Sequence, residues 1–251
     1  MESTLKRTWA EINLDNLTHN LDIIRRQVGP DVKLLGVAKA DAYGHGAIHV
    51  AEHLERIGMD YLAVSNIDEC EELRRSGITL PILMLGFTPA DQAERILKND
   101  MTQAVTDLAI AKAYSAAAVR AGGTMKVHIK LDTGMGRLGF QCDDAHFEAS
   151  LRDILEVLRL PGLDAEGIFT HFCVSDEESD ESVAFTRLQH ERFVRMIDAV
   201  EAQAGFRFRL RHCCNAGGIA GYPEWAGDMV RCGIILYGTG ELAERMGMKP
   251  V

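Results

Sequence analysis

An α/β fold, and within that class a (β/α)8 TIM-type barrel filled by its own side chains, is what the 251-residue sequence predicts. Three observations carry the prediction. Eight short apolar runs recur along the chain, and all but the last are followed by a segment of helical periodicity. Strands that alternate with helices build a parallel sheet, and eight such units in about 250 residues suit a closed barrel. The turn after the first central strand, Gly44-His-Gly46, lacks the GxGxxG spacing of an open doubly wound sheet, which is the runner-up architecture.

The elements follow in order. Trp9 to Ile12 alternates and predicts a short strand. Asp15 is placed to cap a helix carrying Leu17, Leu21 and Ile24 on one face, ending near Gly29-Pro30. Lys33 to Ala38 is the first central strand, with a helix from about His45 to Ile57. Tyr61 to Val64 and Pro81 to Leu85 come next, with helices over Ile67–Ser76 and Ala90–Lys98. Gln103–Val105 is a weaker strand, followed by an alanine-rich helix over Asp107–Ala121 that ends at Gly122-Gly123. Lys126–Leu131 precedes a helix over Ala145–Leu158. Leu163–Phe169 precedes a loop and a helix from about Ser182 to Ala204. Arg209–Cys213 and Met229–Cys232 complete the eight. No repeat, linker or low-complexity tract divides the chain, so residues 1–251 read as one domain.

A formal charge of -10 without a basic stripe argues against nucleic acid as a partner. No apolar run approaches the ~18 residues of a membrane span. The first residues lack the apolar centre of a secretion signal. The chain therefore reads as cytoplasmic. Its six cysteines form no CxxC pair or metal-ligand pattern and read as reduced thiols. The acidic run Ser175–Ser182 reads as a solvated loop, and no metal is implied.

In a barrel, functional residues sit at the carboxyl ends of the strands. Lys39 lies at the exit of a buried strand, where an unpartnered ammonium is costly. Formation of a Schiff base with a carbonyl cofactor removes that charge. Reading the other strand ends adds Tyr43, then Asp132-Thr-Gly-Met-Gly-Arg137, Thr170-His171, Asn215-Ala-Gly-Gly218 and Arg231-Cys-Gly-Ile234. Each taken singly has an ordinary structural use: Arg137 in a surface ion pair, His171 in the core, Asn215 in a turn. Their coincidence at one rim is what those uses do not explain. Gly217 and Gly218, with the backbone around Gly233 and Ile234, could face a phosphate. A lysine opposite a phosphate cradle matches the two ends of pyridoxal phosphate.

Three segments then carry a family resemblance: Val37-Ala-Lys-Ala-Asp-Ala-Tyr-Gly-His-Gly46, Lys130-Leu-Asp-Thr-Gly-Met-Gly-Arg-Leu-Gly-Phe140 and Val230-Arg-Cys-Gly-Ile-Ile-Leu-Tyr-Gly238. With them, from Thr8 to its end, the chain resembles the amino-terminal barrel domain of alanine racemases, with serine racemases close by. The resemblance implies a pyridoxal 5'-phosphate enzyme of small amino acids, alanine first and serine second. Lys39 would hold the cofactor and act as a base. Tyr43, Asn215, Gly217, Gly233 and Ile234 would bind its phosphate side. Arg231 would meet the ring nitrogen, and a guanidinium almost never yields its proton. The ring would then be a weak electron sink, which favours racemisation over transamination. His171 would position Arg231, and Arg137 would meet the phenolic oxygen and the substrate carboxylate. Lys130 matches a lysine that is carbamylated in several relatives.

Two departures stand out. The family usually carries serine at position 216, where its hydroxyl binds phosphate, and this chain has Ala216. The proline common before Gly233 is Cys232. The resemblance also implies a homodimer whose carboxyl-terminal β-domain presents a tyrosine as the second acid/base. The chain stops at Val251, near where that domain would begin, so residues 8–12 are expected to be a strand lacking its partner there. On this expectation the chain alone supplies one base of two. A non-catalytic barrel that carries pyridoxal phosphate is the alternative. A barrel decarboxylase is disfavoured, because those place a carboxylate at the ring nitrogen.

Overall fold

The computed structural model describes residues 8–251. Helix α1 (Leu14–Val28) comes first, and its buried stripe is Leu17, Leu21 and Ile24, as the spacing predicts. Its cap is Asn13 rather than Asp15: the Asn13 carboxamide accepts from the Asp15 and Asn16 amides. Asp15 instead sits in the first turn, where its charge complements the helix dipole.

The barrel begins with β1 (Lys33–Val37), followed by a turn, α2 (Lys39–Gly44), and α3 (Ala47–Arg56). Then come β2 (Tyr61–Val64), α4 (Ile67–Arg75), β3 (Ile82–Met84), α5 (Ala93–Lys98), β4 (Met101–Val105) and α6 (Leu108–Arg120). Next is β5 (Met125–Asp132), with a two-residue strand β6 (Phe140–Gln141) beside its end. Helix α7 (Phe147–Val157), β7 (Leu163–Phe169) and α8 (Asp180–Ala204) follow. The chain ends with β8 (Leu210–His212), α9 (Ala216–Gly221), β9 (Met229–Cys232) and α10 (Glu241–Arg245).

The main strands run parallel in the order β8-β7-β5-β4-β3-β2-β1-β9. The circuit nearly closes between β8 and β9. There the Asp228 amide donates to the Arg211 carbonyl at 3.0 Å and the Arg231 amide to the Cys214 carbonyl at 2.9 Å. This is the (β/α)8 barrel that the alternation predicts.

Three local differences have simple causes. Residues 8–13 are irregular, not a strand, and Trp9 is 68% exposed. A strand needs a partner for its backbone groups, and none lies beside this segment among the described residues. The acidic run after β7 ends inside α8: Ser179 caps the helix, and Asp180 and Glu181 favour its positive end. The helix expected to start near His45 starts at Ala47 and is preceded by a left-handed turn. All six cysteines are free thiols.

Two apolar layers divide the interior. One fills the space between strands and helices, with Leu34, Leu62, Val105, Ile129, Ile168 and Val230 on the strand side. The other lies inside the barrel and contains Leu35, Val37, Tyr61, Ala63, Leu83, Leu210 and Met229. Alternate residues of a strand point to opposite faces, which assigns each residue to its layer. Strands β5, β8 and β9 also turn polar side chains inward: His128, Lys130, His212 and Arg231, each 5% exposed or less.

Candidate active site

A cavity of about 530 Å³ opens at the carboxyl ends of the strands. Lys39, Tyr43, Lys130, Arg137, His171, Asn215, Gly217, Arg231, Gly233 and Ile234 all line it. Every site residue expected from the sequence is therefore at one mouth. Among the described residues, Lys39, Lys130, Arg137 and Arg231 make no ion pair. An acidic protein thus gathers four basic side chains at one concavity, with Asp176 as a carboxylate on the same lining, and the excess of basic groups favours an anionic ligand.

Lys39 stands where β1 passes into an unusual turn. Ala40, Asp41, Ala42 and Tyr43 all have φ between 51° and 55°, the left-handed region. Each such non-glycine residue costs on the order of 1–2 kcal/mol. Two carboxylates hold it, Glu69 from outside the turn and Asp41 from within it. Glu69 accepts the Ala40 amide at 2.9 Å, and Asp41 accepts the Ala47 amide at 2.6 Å. The tight left-handed path brings Lys39 and Tyr43 to the same wall, with the Lys39 ammonium 6.0 Å from the Tyr43 ring centre.

Arg231 lies on β9, 3% exposed, with almost all its donors engaged. One terminal nitrogen donates to His212 Nδ1 at 3.0 Å and to the His212 carbonyl at 3.1 Å. The other reaches the Thr170 carbonyl at 2.7 Å, the Cys213 carbonyl at 2.9 Å and His171 Nδ1 at 3.3 Å. Its Nε–H has no partner among the described residues. That group is the donor left for a ligand. Burial, with no carboxylate alongside, lowers the guanidinium to about 10, so it stays charged at neutral pH.

Across the mouth, Tyr43 leans edge-on against Tyr237, and the Tyr237 hydroxyl anchors to the Val37 carbonyl at 2.8 Å. Burial raises the Tyr43 phenol, which keeps it a neutral donor. A β-carbon at Gly233 would lie 3.5 Å from the Tyr43 hydroxyl, so the phenol and the Gly233 backbone share one corner. The Asn215 side chain is occupied by the turn itself. It accepts from the Gly218 amide at 3.1 Å and the Ser175 hydroxyl at 2.8 Å, and it donates to the Phe172 carbonyl at 2.9 Å. Its turn-forming use is thus real, and it leaves the Ala216 and Gly217 amides without a partner among the described residues in the first turn of α9.

The remaining cations are held by β5 and its loop. Lys130 donates to the Leu131 carbonyl at 2.6 Å, and burial, then Arg231, lowers its amine to about 7. Asp132 accepts from the Gly134 and Gly136 amides, both at 3.0 Å, and so folds the Asp-Thr-Gly-Met-Gly-Arg segment that sets Arg137 on the exposed rim. His171 is pushed down to about 2, first by burial and then by Arg231. It is neutral and accepts from Arg231 at Nδ1, so its proton sits on Nε2.

Sequence reasoning missed the residues that hold these groups. Glu69 and Asp41, which hold the left-handed turn, look like ordinary helix and loop acids. His212, which accepts from Arg231, and His128 behind it sit in strands with no motif around them. Only their placement at inward positions could have signalled them.

Fold and site together define a (β/α)8 barrel with a lysine, a buried arginine and glycine-rich backbone at one mouth. The chain belongs to the family described as alanine racemase, N-terminal domain, whose model matches residues 12–241. It is 44% identical over 95% of its length to alanine racemase 2 of Caldanaerobacter subterraneus subsp. tengcongensis, covering 60% of that protein. It is 45% identical to the alanine racemase of Desulforamulus reducens, covering 92% of this chain and again 60% of the relative. Among solved structures it is similar to the alanine racemase of Clostridium difficile 630 in complex with cycloserine. That match has a TM-score of 0.92 and 42% identity, and covers 99% of this chain and 67% of that one. The chain thus spans about 60% of the curated relatives it matches. Members of this family depend on pyridoxal phosphate.

Proposed function

We propose that this chain is the cofactor-binding barrel of an alanine racemase, interconverting L- and D-alanine with pyridoxal 5'-phosphate. The observation that carries the reading is Arg231: a buried guanidinium with one unpaired N–H, on the cavity that also holds Lys39. The residues fit the cofactor's chemistry. A free amine suits its aldehyde. The unpaired Nε–H suits a ring nitrogen as acceptor, and the Gly217, Ile234 and Tyr43 donors suit a phosphate.

When bound, the cofactor supplies an electron-withdrawing ring conjugated to the substrate nitrogen, which acidifies the α-hydrogen. The chain's residues do the rest. Lys39 holds the aldehyde and carries a proton to and from one face of the α-carbon. Arg231, unable to give up its proton, keeps the ring nitrogen a hydrogen-bond acceptor. His171 is neutral beside it and fixes its orientation. Arg137 on the rim meets the substrate carboxylate. Lys130, with its amine about half neutral near pH 7, is open to carbamylation by carbon dioxide with release of a proton, and a carbamate there would orient Arg137. The proton carrier for the opposite face would lie in the part of a full-length racemase that this chain does not cover, presented across a homodimer interface. The 60% coverage of the relatives supports this division, and alanine follows from what those relatives are.

Borohydride reduction with pyridoxal phosphate, then peptide mapping, tests the reading: the label should fall on Lys39. No label there would sink it. Solvent deuterium exchange at the α-carbon tests the division of labour. Exchange from one enantiomer is expected; equally fast exchange from both would contradict that division.

A further inference from the structure

The barrel interior holds a polar chain that the function above does not use. Below Arg231, His212 Nε2 lies 2.9 Å from His128 Nδ1, and His128 Nε2 lies 3.3 Å from Glu166 Oε2. The Tyr61 hydroxyl donates to Glu166 Oε1 at 3.2 Å. Both histidines are fully buried.

We propose that Glu166 is a positioning residue for the cavity at the far end of this chain. Through a one-way series of donors, Arg231 to His212 to His128 to Glu166, it sets which nitrogen of each histidine carries the proton. It thereby holds the Arg231 Nε–H toward the cavity.

The direction follows from elementary hydrogen-bond chemistry. A guanidinium only donates, so His212 Nδ1 must present a lone pair to Arg231. A neutral His212 then carries its proton on Nε2 and donates it to His128 Nδ1. His128 in turn carries its proton on Nε2 and donates to the carboxylate, which only accepts. Burial disfavours the charged form of both rings, so neither gains a second proton that would break the order. Without the acceptor at the end, the protons could reverse. His212 Nδ1–H would then face the Arg231 N–H, donor against donor.

Three features show that the chain is built into the fold. Strand β7 carries a bulge against β5: Val127 pairs with Ala165 and His128 with Gly167, so Glu166 is the extra residue. A bulge re-aims the side chain it inserts, and here that side chain reaches the His128 ring. A β-carbon at Gly167 would lie 2.7 Å from that ring, so only glycine leaves it room. The Phe169 ring stacks on His212 at 4.9 Å and 4°, which fixes the ring plane.

What Arg231 meets rests on the pyridoxal-phosphate reading; the order of the chain does not. The test therefore has two readouts. Histidine tautomers are read by long-range nitrogen-15 NMR on the cofactor-free protein, for wild type, Glu166→Gln and Glu166→Leu. Pyridoxal phosphate affinity is read by absorbance titration of the same three. Wild type and Glu166→Gln, which keeps an acceptor oxygen, should show Nε2–H at both histidines. Glu166→Leu should show mixed or reversed tautomers and bind the cofactor about tenfold more weakly, the equivalent of one hydrogen bond to a charged group. Nδ1–H at either histidine in wild type overturns the proposal, and that measurement needs no variant to fold. Unchanged tautomers in Glu166→Leu, or reversed tautomers with unchanged affinity, overturn it equally. The expected tautomer pattern with no cofactor binding in any form leaves the ordered chain standing and removes the pyridoxal-phosphate reading instead.

Discussion

Glu69 holds the backbone amide of Ala40 at 2.9 Å, from a helix 29 residues further along the chain. Its second oxygen accepts from the Ser65 amide at 2.7 Å and the Ser65 hydroxyl at 2.8 Å. One carboxylate thus ties the end of β2 to the turn that carries Lys39, and the strain of that turn is balanced from outside it.

Ala40→Gly is therefore expected to stabilise the protein by about 0.5–1 kcal/mol, because glycine enters the left-handed region without penalty. In a right-handed helix the same change costs about 1 kcal/mol, so the sign is diagnostic. Urea unfolding at unchanged m-value reads it. A loss of stability would mean the turn is not left-handed.

The Lys130 amine titrates at about 7 in the fold against an ordinary 10.5. Between those values the unfolded chain binds a proton that the folded chain does not. Stability from this group is complete above about 10.5 and is lost as pH falls through about 7. The size is on the order of a few kcal/mol for a side chain this buried. Lys130→Met should flatten the rise of unfolding free energy between neutral and alkaline pH. An unchanged slope would place the titration elsewhere.

Ala216→Ser should tighten pyridoxal phosphate binding by about tenfold, since a hydroxyl at the first turn of α9 adds one charge-assisted bond to the phosphate. Absorbance titration of both forms gives the ratio. Equal affinities would show that residue 216 does not reach the phosphate.

Arg231→Lys should lower stability by about 2–4 kcal/mol although charge is kept. A single ammonium cannot serve the Thr170, His212 and Cys213 carbonyls together, and a buried unsatisfied carbonyl costs about 1–3 kcal/mol. The urea midpoint measures the loss; a midpoint equal to wild type would deny the guanidinium its anchoring role.

The fold was legible because alternation of apolar runs with helical periodicity is a local property, and it marks where strand ends lie. That places Lys39, Tyr43, Arg137, His171, Asn215 and Arg231 at one rim from the sequence alone. It falls short where the decisive partner is remote in sequence. Trp9–Ile12 alternates like a strand, yet alternation supplies no neighbour to pair with. Asp15 reads as a cap, yet Asn13 lies where the helix begins.

The sequence by itself determined the barrel, the set of residues at its mouth and the absence of a carboxylate next to Arg231 in the chain. Only the tertiary structure decided how those residues are held. The left-handed path of Ala40–Tyr43 has no signal in alanine, aspartate or tyrosine, because its support is a carboxylate on α4. The Glu166–His128–His212–Arg231 chain joins four strand residues far apart in sequence. Its order depends on a bulge and on which face each strand turns inward, and contacts between distant segments set both.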